Sequence, residues 1–161
     1  MGIEQKENAR ILVVDDADSI RLQICAYLRQ HGYNVNDAWS LAGAMRAINL
    51  LELDLAIVDL ELGDGDGLTL VRALQEKGVP CMVVSVRSAV IDRVLSLELG
   101  ADDYMVKPID LREMLLRVKK IVAITFRRTS RRRPSSTSAR SVSIWSTGRS
   151  SPRIASRSRC R

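Results

Sequence analysis

Aromatic residues are scarce in this chain: two Trp, three Tyr and one Phe among 161 positions. The turns after its first and third apolar runs carry neither a hydroxyl-rich phosphate loop nor flanking aromatics, which argues against a flavin-binding electron carrier. Cysteine is equally sparse. Cys25 and Cys81 fall inside apolar stretches, where a thiol behaves as a small hydrophobe, and Cys160 sits in a basic C-terminal segment. Their spacings match no zinc pattern and no disulfide framework, so a reducing cytoplasm is the expected compartment. The first residues lack the apolar core of a secretion signal. Lys6 stands where a myristoylation motif needs Ser or Thr, and no apolar run approaches membrane-spanning length. No membrane partner is expected.

Acidic residues are absent after Glu113, and this splits the chain. Residues 1–126 contain all 19 Asp and Glu and carry a net −5; residues 127–161 contain 11 Arg and no acid. The pI near 9.6 therefore averages two unlike pieces. One domain over 1–126 is the natural reading, with a separate appendage over 127–161.

The first piece alternates short β-branched runs with amphipathic stretches. Strands are expected at Ile11–Val14, Asn34–Asp37, Leu55–Val58, Cys81–Val84 and Tyr104–Val106. Helices are expected at Ala17–Gln30, from a cap at Ser40 to about Leu51, over roughly Leu68–Lys77, and from a cap at Ser88 through Leu99. A last helix opens on a capping box made by Asp110 and Glu113. Gly63–Gly67 reads as a flexible turn. Four of the five strands are apolar throughout, as in a parallel sheet covered on both faces. With right-handed crossovers this gives an α/β, doubly wound (βα)5 fold of order 2-1-3-4-5, which binds ligand beyond the carboxyl ends of its first and third strands.

The chemistry sits at those ends. Asp15-Asp16 follow the first strand, Asp59 the third, Ser85 the fourth, and Lys107-Pro108 the fifth. Three carboxylates crowded together repel unless a cation neutralises them, and Mg²⁺ prefers such hard oxygen ligands. A carboxylate there can attack a phosphoryl donor, with Lys107 balancing charge on the phosphoryl oxygens and Ser85 donating a hydrogen bond to one of them. Pro108 is a candidate for a cis bond. Each element alone is weak evidence; the ordered set at matching strand ends is specific.

With those residues in view, residues 9–124 closely resemble the receiver domain of two-component response regulators. The resemblance is carried by Ile11-Leu-Val-Val-Asp15-Asp16, by Leu55-Ala-Ile-Val-Asp59 with Asp66-Gly67 downstream, and by Leu97-Glu-Leu-Gly-Ala-Asp-Asp-Tyr-Met-Val-Lys107-Pro108. It implies a flavodoxin-like fold and the following roles: Asp59 as phosphoacceptor, Asp15 and Asp16 with Asp59 as the Mg²⁺ site, Ser85 as switch hydroxyl, Tyr104 as switch aromatic and Lys107 as phosphate sensor. It also implies a phosphoprotein with a sensor histidine kinase or phosphotransfer protein as partner, no enzymatic turnover beyond its own phosphorylation and dephosphorylation, and a part in transcription regulation. Ser85 replaces the commoner Thr, and Gly63 stands where Pro is frequent. A haloacid-dehalogenase-type phosphatase is the enzymatic rival, but it resembles Asp-x-Asp-x-Thr, whereas Asp59 precedes Leu, Glu, Leu and Gly.

The last segment looks most like the subfamily whose receivers precede a winged-helix DNA-binding domain, which this chain is expected to lack. DNA is therefore implied as a partner only if the full-length gene encodes such a domain. The resemblance further implies a homodimer through the fourth helix, fifth strand and fifth helix, with Arg93 paired to Glu113 and Asp103 to Arg117 between subunits. A third pair would need a base near position 124 opposite Asp102, and Ile124 stands there. Tyr104 is expected to turn inward on phosphorylation. Glu61 and Arg87 are expected to bridge over the phosphoryl site and restrict water.

Residues 127–161, with 11 Arg and 11 Ser, cannot bury enough surface to offset chain entropy, so disorder is expected. Such a segment attracts polyanions without sequence preference. It is readable as a basic arm, as an interdomain linker, or as out-of-frame translation; the abrupt loss of acids favours the last.

Overall fold

Ile11, Val13, Leu55, Ile57, Met82 and Val84 alternate along their strands with Leu12, Val14, Ala56, Val58, Cys81 and Val83, and the two sets enter different hydrophobic clusters. Successive strand side chains point to opposite faces, so a strand without polar positions must be covered on both sides. A computed structural model, which describes residues 8–132, shows that arrangement.

The elements in order are β1 (Arg10–Val14), α1 (Asp18–Gln30), β2 (Asn34–Ala38), α2 (Leu41–Leu50), β3 (Leu55–Val58), β4 (Glu61–Leu62), β5 (Gly65–Asp66), α3 (Gly67–Glu76), β6 (Cys81–Ser85), α4 (Val90–Glu98), β7 (Asp103–Val106) and α5 (Leu111–Arg132). The main sheet is parallel in the order β2-β1-β3-β6-β7, which is the expected 2-1-3-4-5 once the small hairpin is counted. Residues of α1 and α5 join the cluster on one face, and residues of α2 and α3 that on the other. Burying side chains of this size contributes about 1.5–3 kcal/mol each.

Four local expectations are corrected. Gly63–Gly67 is not an open turn: β4 and β5 pair as an antiparallel hairpin, Glu61 opposite Asp66 and Leu62 opposite Gly65. Gly67 itself begins α3. Ser88 caps nothing; α4 starts at Val90 behind Ala89, without a side-chain cap. At α5 half of the capping box forms, with Asp110 accepting from the Arg112 and Glu113 amides. The Glu113 carboxylate instead takes the Arg117 guanidinium, a charged partner one turn on. Finally, α5 continues to Arg132, six residues beyond the boundary drawn from composition. Arg is a good helix former, so losing acids does not by itself end a helix. The remaining expectations for the tail lie outside the described residues, as does Cys160.

Candidate functional site

Register brings the site together. Val14 lies beside Val58, Val58 beside Val83, and Ser85 beside Val106, so the residues that follow emerge along one edge. Backbone bonds continue past the strands: the Asp15 amide donates to Ala38, that of Asp59 to Val14, and that of Lys107 to Ser85. Asp15, Asp59 and Ser85 are thereby buried, at 2%, 5% and 0% exposure. Asp16 points to solvent.

Lys107 Nζ donates to Asp15 Oδ2 and to Asp59 Oδ2, each at 2.7 Å. The Lys107–Pro108 bond is cis, as anticipated. Asp15 Oδ1 accepts from the Ala17 amide and Asp59 Oδ1 from the Glu61 amide. Each carboxylate is thus fixed by one cation and one backbone donor. Asp15, Asp16 and Asp59 each offer an oxygen, all within 4.8 Å of one another. This donor set is wholly hard oxygen, and Lys107 neutralises only one of three formal charges, so the residues fit a divalent cation.

Burial alone would lower the Lys107 pKa, but its hydrogen bonds to Asp15 and Asp59 outweigh that and hold it above 10.5. The folded ammonium therefore keeps its proton to higher pH than the unfolded one. The stability it contributes is complete below 10.5 and lost as pH rises through the folded value. Lys107→Met, though less stable at neutral pH for leaving two buried carboxylates without their cation, should show a smaller alkaline loss. Urea midpoints for both proteins on either side of that pH check this; parallel losses would contradict it.

Ser85 Oγ accepts from the Arg87 amide at 3.3 Å. Tyr104 is already turned inward, 7% exposed, with its hydroxyl donating to the Arg87 carbonyl. Burial is the main cause that raises its pKa. Arg87 Nε lies 3.5 Å from Glu61 Oε1, the bridge anticipated from spacing, while Nη1 lies 4.0 Å from Asp66 and 3.9 Å from Asp92. One guanidinium thus joins the hairpin to α4.

The four residues assigned to a dimer line one groove of about 430 Å³ beside Tyr104. Within the single chain Arg117 Nη1 donates to both Asp103 oxygens while its Nε and Nη2 donate to Glu113, and the Arg93 guanidinium lies 5.8 Å from the Tyr104 ring centroid. Asp102, assigned to the incomplete third pair, accepts from the Cys81 amide.

Two functional neighbours escaped the sequence reading. Arg21 is buried and donates to the Asp15 carbonyl, Asp18 and Asp37, bracing the acidic loop from behind. A signal existed, because Arg21 falls in register with the buried Ile24, Cys25 and Leu28 of α1. Asp64, at the hairpin tip, accepts from the Leu41 and Ala42 amides, which lowers its pKa. It shares the α2 cap with Ser40.

A family model described as the response regulator receiver domain matches residues 11–119. The chain is 40% identical over 113 residues to the TorCAD operon transcriptional regulatory protein TorR of Escherichia coli, covering 70% of this chain and 49% of that protein. Transcriptional regulatory protein PrrA of Mycobacterium leprae is 40% identical over 115 residues, with the same coverages of 70% and 49%. Among solved structures, a CheY-like response regulator receiver domain protein from Methanospirillum hungatei superposes with a TM-score of 0.73 at 28% identity, covering 75% of this chain and 98% of that one. The chain spans about half the length of the curated relatives it matches.

Proposed function

The chain belongs to the response regulator receiver domain family, and from that premise we propose that it takes a phosphoryl group onto Asp59 from the phosphohistidine of a sensor kinase or phosphotransfer protein. As a receiver it is the phosphorelay component whose conformation carries the signal. The observation that carries the assignment is the Lys107 ammonium held at 2.7 Å by both Asp15 and Asp59 beside a third carboxylate.

A carboxylate oxygen of Asp59 bonds to phosphorus as the phosphorus–nitrogen bond of the donor breaks, and the imidazole leaves with the electron pair. Asp15, Asp16 and Asp59 would hold Mg²⁺, which when bound offsets charge on the phosphoryl oxygens. Lys107, already beside Asp59, can follow a phosphoryl oxygen without leaving its pocket. The Ser85 hydroxyl is free to rotate its proton toward that oxygen while still accepting from Arg87. Because Tyr104 is already packed inward, phosphorylation would stabilise this packing over an outward one, a population shift. Mass analysis after incubation with acetyl phosphate and Mg²⁺ tests the assignment.

The groove holding Arg93, Asp103, Glu113 and Arg117 supports a homodimer through α4, β7 and α5. Arg117 would then exchange its in-chain partners for those of a second subunit. Val90, Ile91 and Val94 are exposed on α4, apolar surface open to a second subunit. The compartment proposed is the cytoplasm, and no helix among the described residues is long and apolar enough to cross a membrane. Control of transcription is proposed for the longer protein of which such a receiver is part.

The Arg87 bridge should lengthen the phosphorylated state by restricting the attacking water. Arg87→Ala is expected to speed loss of the phosphoryl group several-fold while leaving its acceptance intact. The decay of the phosphorylated species by mass or Phos-tag gel reads this directly, and an unchanged half-life removes Arg87 from the account.

A further inference from the structure

The α5 helix buries Met114, Leu115, Val118, Ile121 and Val122 against the sheet. At 3.6 residues per turn, Lys120, Ile124 and Arg127 share the side facing away, with Arg128 at its margin, and all four are exposed. No carboxylate among the described residues pairs with Lys119, Lys120, Arg127 or Arg128. Lys120, Ile124 and Arg128 also line a groove of about 750 Å³ that reaches Gly78 and Pro80 at the opposite end of the sheet from the acidic site. Of the acids of that groove, Asp103 is paired with Arg117, whereas Asp102 accepts from the neutral Cys81 amide and keeps its charge. With Arg117, Lys120 and Arg128 against Asp102 and Asp103 the groove keeps a net positive charge, and the exposed Arg127 on the outward side adds another cation.

We propose that this outward stripe of α5 is a contact surface for the phosphate backbone of nucleic acid. From Lys120 to Arg128 the helix runs roughly 12 Å, enough to meet more than one phosphate of a duplex whose strands each carry one charge per roughly 3.4 Å of helix axis. A membrane surface fits less well. A helix lying in a bilayer interface needs a continuous apolar face, and the one α5 possesses is already buried in the core. Its exposed Leu116, Ile124 and Phe126 are interspersed among cations instead of gathered beside them. Contact through charges on one helix face reads no base edges, so it would be independent of sequence.

The test uses the full chain and a fluorescein-labelled mixed-sequence DNA duplex, followed by anisotropy across a salt series. Wild type should bind with an affinity that falls linearly in log–log form with salt. K120Q/R127Q/R128Q should weaken binding tenfold or more at low salt. It should also reduce the slope by about 2–3, since each phosphate neutralised by a side chain contributes roughly 0.9. The charge-preserving K120R/R127K/R128K should bind as wild type. All three positions are exposed, so an unchanged urea midpoint verifies folding. An unaltered slope in the glutamine variant would place any binding outside Lys120, Arg127 and Arg128 and overturn the proposal. So would stronger capture by phosphatidylglycerol vesicles than by the duplex.

Discussion

Asp59→Asn should abolish the mass increase expected of the wild-type protein after incubation with acetyl phosphate and Mg²⁺. Three carboxylates lie close enough to compete for a phosphoryl group, and their surroundings set them apart. Asp16 is exposed and has no Lys107 contact, whereas Asp15 and Asp59 share that lysine symmetrically at 2.7 Å. Asp59 stands at the end of the central strand β3, between β1 and β6, so it is flanked by Asp15 on one side and reaches toward Ser85 on the other. Asp15 follows β1, which β3 separates from β6 and its Ser85, and its rear is closed by the Arg21 bond to its own carbonyl. Asparagine keeps the shape and can still accept from the Glu61 amide, so the variant should fold. What it loses is the nucleophilic oxygen, and the expected change is complete. Asp66→Asn, at the N-cap of α3 where its side chain accepts from the Leu68 amide, should still be phosphorylated. A mass shift persisting in Asp59→Asn at the wild-type rate would move the acceptor to another carboxylate and end the assignment.

The parts of this site that were legible in the sequence share one property: their position follows from a strand end. Ile11–Val14 and Leu55–Val58 are short, β-branched and without polar interruption, so their register and their outlets at Asp15 and Asp59 were constrained by residue order alone. Lys107 and Ser85 follow by the same logic. What stayed hidden depends on partners far along the chain. Asp64 caps α2 from 23 residues away, and nothing local to either segment announces it. Ser88 carried a plausible capping signal, yet α4 begins two residues later, with the apolar Val90 and Ile91 exposed and only Ser96 of its residues buried. Helix boundaries weakly fixed by packing are where local rules decide least. Glu113 shows a competition that spacing cannot resolve, since the Arg117 guanidinium offers a charge-assisted partner where the capping box offers only an amide. Tyr104 raises a different issue. Its expected movement presupposed an outward starting position, and side-chain orientation between two packings is not written in residue order.

Gly67→Ala should be the most damaging single-methyl change near the site. A β-carbon there would lie 2.2 Å from the Asp59 carbonyl oxygen and 2.7 Å from Leu60 Cα. Both neighbours are backbone, so no side chain can swing aside. Opposing this, alanine favours a helix over glycine by roughly 1 kcal/mol, and Gly67 is the first residue of α3. The contact must decide the sign, because a clash with fixed backbone costs about 1–3 kcal/mol or more. Relief requires the Gly67 amide to retreat from the Leu60 carbonyl, to which it donates at 2.8 Å, or the Asp59–Leu60 peptide to tilt. Either movement turns the Asp59 carboxylate away from Lys107. Two readouts should therefore fall together: the urea midpoint and the rate of phosphorylation by acetyl phosphate. Gly32→Ala separates this from a general intolerance of glycine replacement. Gly32 has φ +85° but nothing within 4 Å of an added carbon, so it should lose about 1 kcal/mol to backbone strain and accept phosphate at the wild-type rate. If Gly67→Ala matched Gly32→Ala in both measurements, the close approach of α3 to the end of β3 would not be setting the Asp59 carboxylate's position.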